Sequence, residues 1–198
     1  MELITIFKIL HLFGMMAGLG GALYTDFLMI TRGIVKPLDK ATLKQVHHLT
    51  RFVTLGLLVL WVSGIALAAI NITTNPEFMS NDKFWAKVAI VAVLSINGLI
   101  VHHYVLGEAE RSLGARLIFD SNIRGTITLA TVGSVSFVSW TLPFVMGSAK
   151  ELSYVIPFEL FLFFWIGAIL TSVSFVLTIV MIEEMWRGRR HVSLRAAA

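Results

Sequence analysis

The chain has 198 residues, of which 57% are hydrophobic and only 14% charged, and its mean hydropathy is +0.82. That balance excludes a water-soluble globule of this size and points to an integral membrane protein. The net charge of +4 does not call for a nucleic-acid partner, because the basic residues fall into separate segments between apolar runs, and the absence of cysteine excludes disulfides, thiolate metal sites and a cysteine nucleophile.

A membrane-spanning helix needs roughly 20 mostly apolar residues to cross about 30 Å of hydrocarbon. Five windows meet this: about 4–30, 52–71, 84–105, 125–146 and 156–182. The runs are unbroken, whereas barrel strands would show alternating segments of roughly ten residues. The expected fold is therefore all-α: a multi-pass bundle of five transmembrane helices forming one domain over residues 1–198. The first span opens with Glu2 and no basic cluster and is longer than a signal h-region, so it is expected to be retained.

Arg32, Lys36, Lys40, Lys44 and Arg51 lie between spans one and two, Arg111, Arg116 and Arg124 between three and four, and Arg187, Arg189, Arg190 and Arg195 after span five. The opposite side carries little beyond Lys83 and Lys150. The positive-inside rule places the amino terminus outside and the carboxyl terminus in the cytoplasm.

Along the chain, Lys40 to Arg51 reads as an amphipathic lead-in to span two, and Asn71 to Asp82 as a polar external connection. A short helix is expected around Glu108 to Arg116 within the loop Gly107 to Arg124, and a brief turn at Gly147 to Ser153. Span four is rich in hydroxyls, among them Thr126, Ser134, Ser136 and Ser139, which suits close helix packing and would also suit hydrogen bonding to a ligand.

Ionisable residues inside apolar spans are costly and therefore the first functional candidates. At about 100° per residue, Lys8, His11, Met15, Gly18, Ala22, Thr25 and Asp26 share one face of span one, with Gly14 at its edge. His11 lies roughly 10 Å below the outer rim and Asp26 near the inner one. In span three, Lys87, Ser95, Gly98 and His102 share a face, while His103 points away. The expectation is two layers: an outer pair, His11 and Lys87, and an inner group of Asp26, His47, His48, His102, His103 and Tyr104.

A haem in a helical bundle needs imidazole or thioether donors and small residues that admit the porphyrin. His11 with Gly14 and Gly18 meets that pattern, and the pairs His47/His48 and His102/His103 offer further donors. Lys87 can balance a propionate or snorkel to the rim; Asp26 and Arg51 can relay protons or charge, or pair with each other. Copper is the competing ligand, with His11 and Met15 one turn apart as nitrogen and thioether donors, and His102 as a further imidazole.

The runs Lys8 to Leu28 (KILHLFGMMAGLGGALYTDFL), Arg51 to Ala68 (RFVTLGLLVLWVSGIALA) and Trp85 to His103 (WAKVAIVAVLSINGLIVHH) resemble a bacterial membrane superfamily. It contains the membrane-integrated protoporphyrinogen oxidases and the copper-resistance D family. The resemblance to the oxidases implies a b-type haem, with His11 and Lys87 at functional positions, although Thr25 and Asp26 stand where that pattern has Pro-Arg. The copper branch is matched by Gly20-Gly21, Arg51-Phe52, Ser63-Gly64 and Asn97, and it implies copper uptake or tolerance.

The expected function is that of a haem b-binding redox protein of the bacterial cytoplasmic membrane, transferring electrons or oxidising a small substrate. Its partners would be the lipid bilayer, a redox partner or quinone, and further copies or a larger membrane complex, with no nucleic acid. The alternatives are copper transport or tolerance, and a structural accessory subunit without a cofactor.

Overall fold

A computed structural model describes residues 2–34, 36–117 and 123–196, with the side chains of 76, 150 and 187–196 outside that description. The middle of the loop expected over 107–124 and the side chains of the arginines after span five thus lie outside the described residues, as does that of Lys150. Six α-helices follow in order: α1 Glu2–Met29, α2 Lys40–Thr74, α3 Asp82–Ile100, α4 Leu106–Arg111, α5 Ile123–Ser148 and α6 Phe158–Ala196. No strand occurs among the described residues. The segments Glu2–Ile34, Lys40–Thr74, Asp82–Arg111, Ile123–Ser148 and Phe158–Trp186 are each long and apolar enough to cross a membrane.

The helices overrun the apolar windows because their ends are set by capping, not by hydropathy. Asp39 caps α2 by accepting a hydrogen bond from the Thr42 amide at 2.6 Å, which starts the helix a dozen residues before the apolar run. Asn75 and Asn81 do the same for the 3₁₀ turn Pro76–Ser80 and for α3, so the 71–82 connection is largely helical. Past the other end of α3, α4 is shorter than the helix expected there, stopping at Arg111 in a turn that uses Gly114 at φ +83°. π-helical segments continue α1 over Ile30–Ile34 and α3 over Val101–Val105.

The closest packing is between α1 and α2, with α5 beside α1 and α3, and α6 against α5 and α3. Three buried clusters stack along the bundle. Ala86, Ile90, Met146 and Phe161 lie toward the end that holds the amino terminus; Ala22, Leu60, Leu94 and Trp140 lie in the middle; Leu38, Leu43, Ala109 and Leu117 close the opposite, basic end. That basic end is clasped by backbone hydrogen bonds from Leu38 to Ala115 (3.0 Å), Gly114 to Leu38 (2.9 Å) and Leu117 to Gly33 (2.8 Å). Outward, Leu12, Phe13, Leu58, Phe163 and Phe164 are among many large apolar side chains left exposed, the surface a bilayer covers.

Because lipid tails are as apolar as the side chains, helix contacts here rest on small residues and hydrogen bonds. The span-four hydroxyls serve this: the Trp165 indole donates to Ser139 at 3.0 Å and Ser172 donates to Ser134 at 3.0 Å, tying α6 to α5. Trp61 likewise donates to Ser95 at 3.0 Å, joining α2 to α3, and Asn97 donates to the Val132 carbonyl at 3.1 Å, joining α3 to α5.

Candidate functional site

Toward the amino-terminal end, His11 of α1 leans on α2 beside Gly64, whose missing side chain leaves the ring in contact range, 3.4 Å from where a Cβ would stand. Its Nδ1 lies 3.0 Å from Ser63 Oγ, and Ser63 in turn donates its hydroxyl hydrogen to the Val59 carbonyl at 2.6 Å. A carbonyl only accepts, so the Ser63 oxygen must accept from His11, which fixes the proton on Nδ1 and leaves Nε2 with its lone pair.

Lys87 stands in the second turn of α3, toward the same end of the bundle as His11. It is half-buried and makes no hydrogen bond or ion pair among the described residues. A lone-pair nitrogen on α1 and an ammonium without a hydrogen bond among the described residues on α3 thus lie toward one end of the bundle, groups that suit a ligand with a metal centre or an anionic group.

The glycines of α1 serve another purpose. Gly14 and Gly18 meet Gly56 of α2, and a Cβ on Gly56 would stand 2.6 Å from the Gly18 nitrogen and 3.0 Å from the Gly14 oxygen. The Trp140 ring fills the remaining space over Gly18. The imidazole of His11 therefore fits an axial-ligand role, but Gly14 and Gly18 leave no gap for a porphyrin between α1 and α2. Met15 packs against the central cluster of Ala22, Leu60, Leu94 and Trp140. Among the described residues, no three His, Cys, Asp or Glu side chains converge as a metal-ligand set.

Toward the basic end, all five long helices line a cavity of about 540 Å³, within the size range of small-molecule sites. Asp26, Thr50, Asn97, His102, Ser136 and Trp140 are among its walls, and residues of both π-helical segments, Ile30 and Val101, join them. Asp26 and His102 are thus brought to one cavity, while His11 and Lys87 lie outside it. The Asp26 carboxylate has no hydrogen bond or ion pair among the described residues, and Arg51 points elsewhere, exposed in a shallow depression with Lys40, Lys44, His47 and His48. His47 approaches Glu110 of α4 at 3.3 Å and the Leu43 carbonyl at 3.0 Å; His48, His103 and Tyr104 are exposed.

No protein-family model matches this chain, and no curated protein or solved structure matches it. The site must be read from its own geometry.

Two residues outside the sequence-based candidates matter to that geometry. Ser63 sets the His11 tautomer. Lys83, only 4% exposed, donates to the Ala149 carbonyl and, at 3.4 Å, to Ser153, so this cation caps the carboxyl end of α5. In the sequence Ser63 is marked only by the Ser63-Gly64 match to the copper branch, and Lys83 only as a basic residue just before span three.

Proposed function

We propose that this chain is a multi-pass protein of the bacterial cytoplasmic membrane that binds a b-type haem through His11 and transfers electrons or oxidises a small substrate. The amino terminus faces outward, on the strength of the Lys and Arg distribution in the loops. The observation that carries the reading is the Nδ1 hydrogen bond from His11 to Ser63. It presents Nε2 as a donor in the neutral ring, the state an axial ligand needs, and holds the imidazole in one orientation as outer-sphere partners of metal-bound histidines do.

A bound haem supplies a one-electron centre. The residues around it do the rest: Ser63 orients the ring, and Lys87 offers the charge that balances a propionate. Because Gly56 and Trp140 occupy the space beside Gly14 and Gly18, the macrocycle does not lie between α1 and α2 on this reading. One measurement tests it. Full-length protein, expressed with haem available, should show visible bands that sharpen on reduction, and His11→Ala should lose them while remaining folded. Protein free of such bands overturns the reading.

A further inference from the structure

The cavity near the basic end has a chemistry opposite to that around Lys87. Among the described residues no lysine or arginine lines it, and Asp26 is the one acidic side chain in its wall. The neighbouring hydroxyls have already spent their hydrogens on their own helices: Thr25 donates to the Gly21 carbonyl at 2.8 Å, Thr50 to Val46 at 2.8 Å and Thr54 to Thr50 at 2.9 Å. What each of these oxygens can still offer is a lone pair. His102, exposed, has Nδ1 3.3 Å from the Gly98 carbonyl and donates to it, so that in a neutral ring Nε2 is a further acceptor. The donors that remain among the described residues, the Ser134 and Ser136 hydroxyls, the Trp140 indole and one amide hydrogen of Asn97, are all uncharged.

An unpaired carboxylate among acceptors is costly in an apolar setting unless a donor or a cation completes it. The remaining wall is apolar and aromatic. Phe27, Phe137 and Phe175 line the cavity and are also exposed on the outer surface of the bundle, so they stand where it opens toward lipid. Aromatic faces beside an anionic end suit a cation with an apolar body.

We propose that this cavity binds a lipophilic organic ammonium, a protonated amine on an apolar skeleton that enters from the bilayer. Asp26 is its counter-ion, Nε2 of His102 and the threonine oxygens accept its N–H groups, and the phenylalanines hold its hydrocarbon part. The proposal is independent of haem at His11, which lies outside the cavity.

Equilibrium binding of radiolabelled 1-aminoadamantane to the full-length protein in phosphatidylcholine nanodiscs tests it, with 1-adamantanol as the neutral competitor of the same shape. Saturable binding at one site per chain is expected, with the alcohol competing about tenfold or more less well and Asp26→Asn losing a similar factor. Asp26→Glu should retain most of the affinity. Gly98 and Gly133 line the cavity with nothing within 4 Å of an added Cβ, so Gly98→Leu and Gly133→Leu start new side chains from open points on its wall and should abolish binding in folded protein. If Asp26→Asn does not fold, these two variants decide. Non-saturable uptake, equal competition by the alcohol, an unchanged affinity in folded Asp26→Asn, or binding that survives both leucines overturns the proposal.

Discussion

Gly56 of α2 and Gly18 of α1 touch backbone to backbone, so closely that a Cβ on Gly56 would stand 2.6 Å from the Gly18 nitrogen. That approach sets the distance between the two helices that carry His11 and Ser63. It also makes a sharp prediction. Gly56→Ala must push the helices apart, and we expect a loss of about 1–3 kcal/mol, the usual cost of overpacking, read as a lowered thermal midpoint in detergent. Gly20, with nothing within 4 Å of its Cβ position, is the control: Gly20→Ala should leave the midpoint unchanged or raise it. Equal behaviour of the two variants would mean that the crossing is not as tight as described.

Trp140 and Gly18 form a second coupled pair, since a Cβ on Gly18 would fall 2.0 Å from the indole ring. Gly18→Ala alone should destabilise by about 1–3 kcal/mol, and Trp140→Leu alone by a comparable amount through the cavity it leaves. Combined, they should cost less than the sum, because the smaller side chain vacates the space the new methyl needs. A double-mutant cycle with no coupling energy refutes the contact.

The number and order of the spans were legible in the sequence because a bilayer demands unbroken apolar length, a one-dimensional property. Helix ends were not: α2 begins at Lys40 because Asp39 caps it, well before hydropathy rises. The site was legible only as a set of suspects. Periodicity put His11 and Gly18 on one face of α1, but what fills that face depends on which helices are neighbours, and Gly56 and Trp140 come from α2 and α5. For the same reason the roles of Ser63 and Lys83, which depend on contacts between elements, could not be read from the pattern of polar and apolar residues.

Lys83 gives a prediction about the turn between α5 and α6. Its ammonium is buried against the Ala149 carbonyl and Ser153, so Lys83→Met removes a charged donor from the end of α5 and leaves the Ala149 carbonyl with only the 3.3 Å hydrogen bond from the Leu152 amide. A loss of about 1–3 kcal/mol is expected, with faster proteolysis between residues 147 and 157. Lys87→Met, which removes no hydrogen bond among the described residues, should leave that cleavage rate unchanged. Equal protection in wild type and Lys83→Met would show that the cap is not formed.

The tautomer of His11 is directly observable. In protein labelled with nitrogen-15 histidine, His11 should show a protonated Nδ1 and a bare Nε2, because Ser63 donates to Val59 and must accept from the ring. Ser63→Ala should remove that preference and cost about 1 kcal/mol, whereas Ser63→Thr, which keeps the hydroxyl, should preserve the tautomer. A proton found on Nε2 in the wild type would reverse the donor assignment and withdraw His11 as a metal donor in this orientation.

Outside the spans, Asp39 ties pH to the start of α2. The hydrogen bond from the Thr42 amide, reinforced by the Thr42 side chain and the positive charge of Arg32, holds its carboxyl below the usual carboxylate range. A carboxylate whose folded pKa is depressed adds stability that is fully present above its unfolded value and is lost as pH falls through the folded one. Hydrogen exchange at the Thr42 amide should therefore be slow and unaffected by Asp39 protonation from neutral pH down to the ordinary carboxylate range, once intrinsic exchange is corrected, and should accelerate only below it. Asp39→Ala should show the accelerated rate at neutral pH, because the cap is then absent at every pH. Protection in the variant equal to that of the wild type would mean that α2 begins without its cap, and that the basic-end clasp through Leu38 holds the helix start on its own.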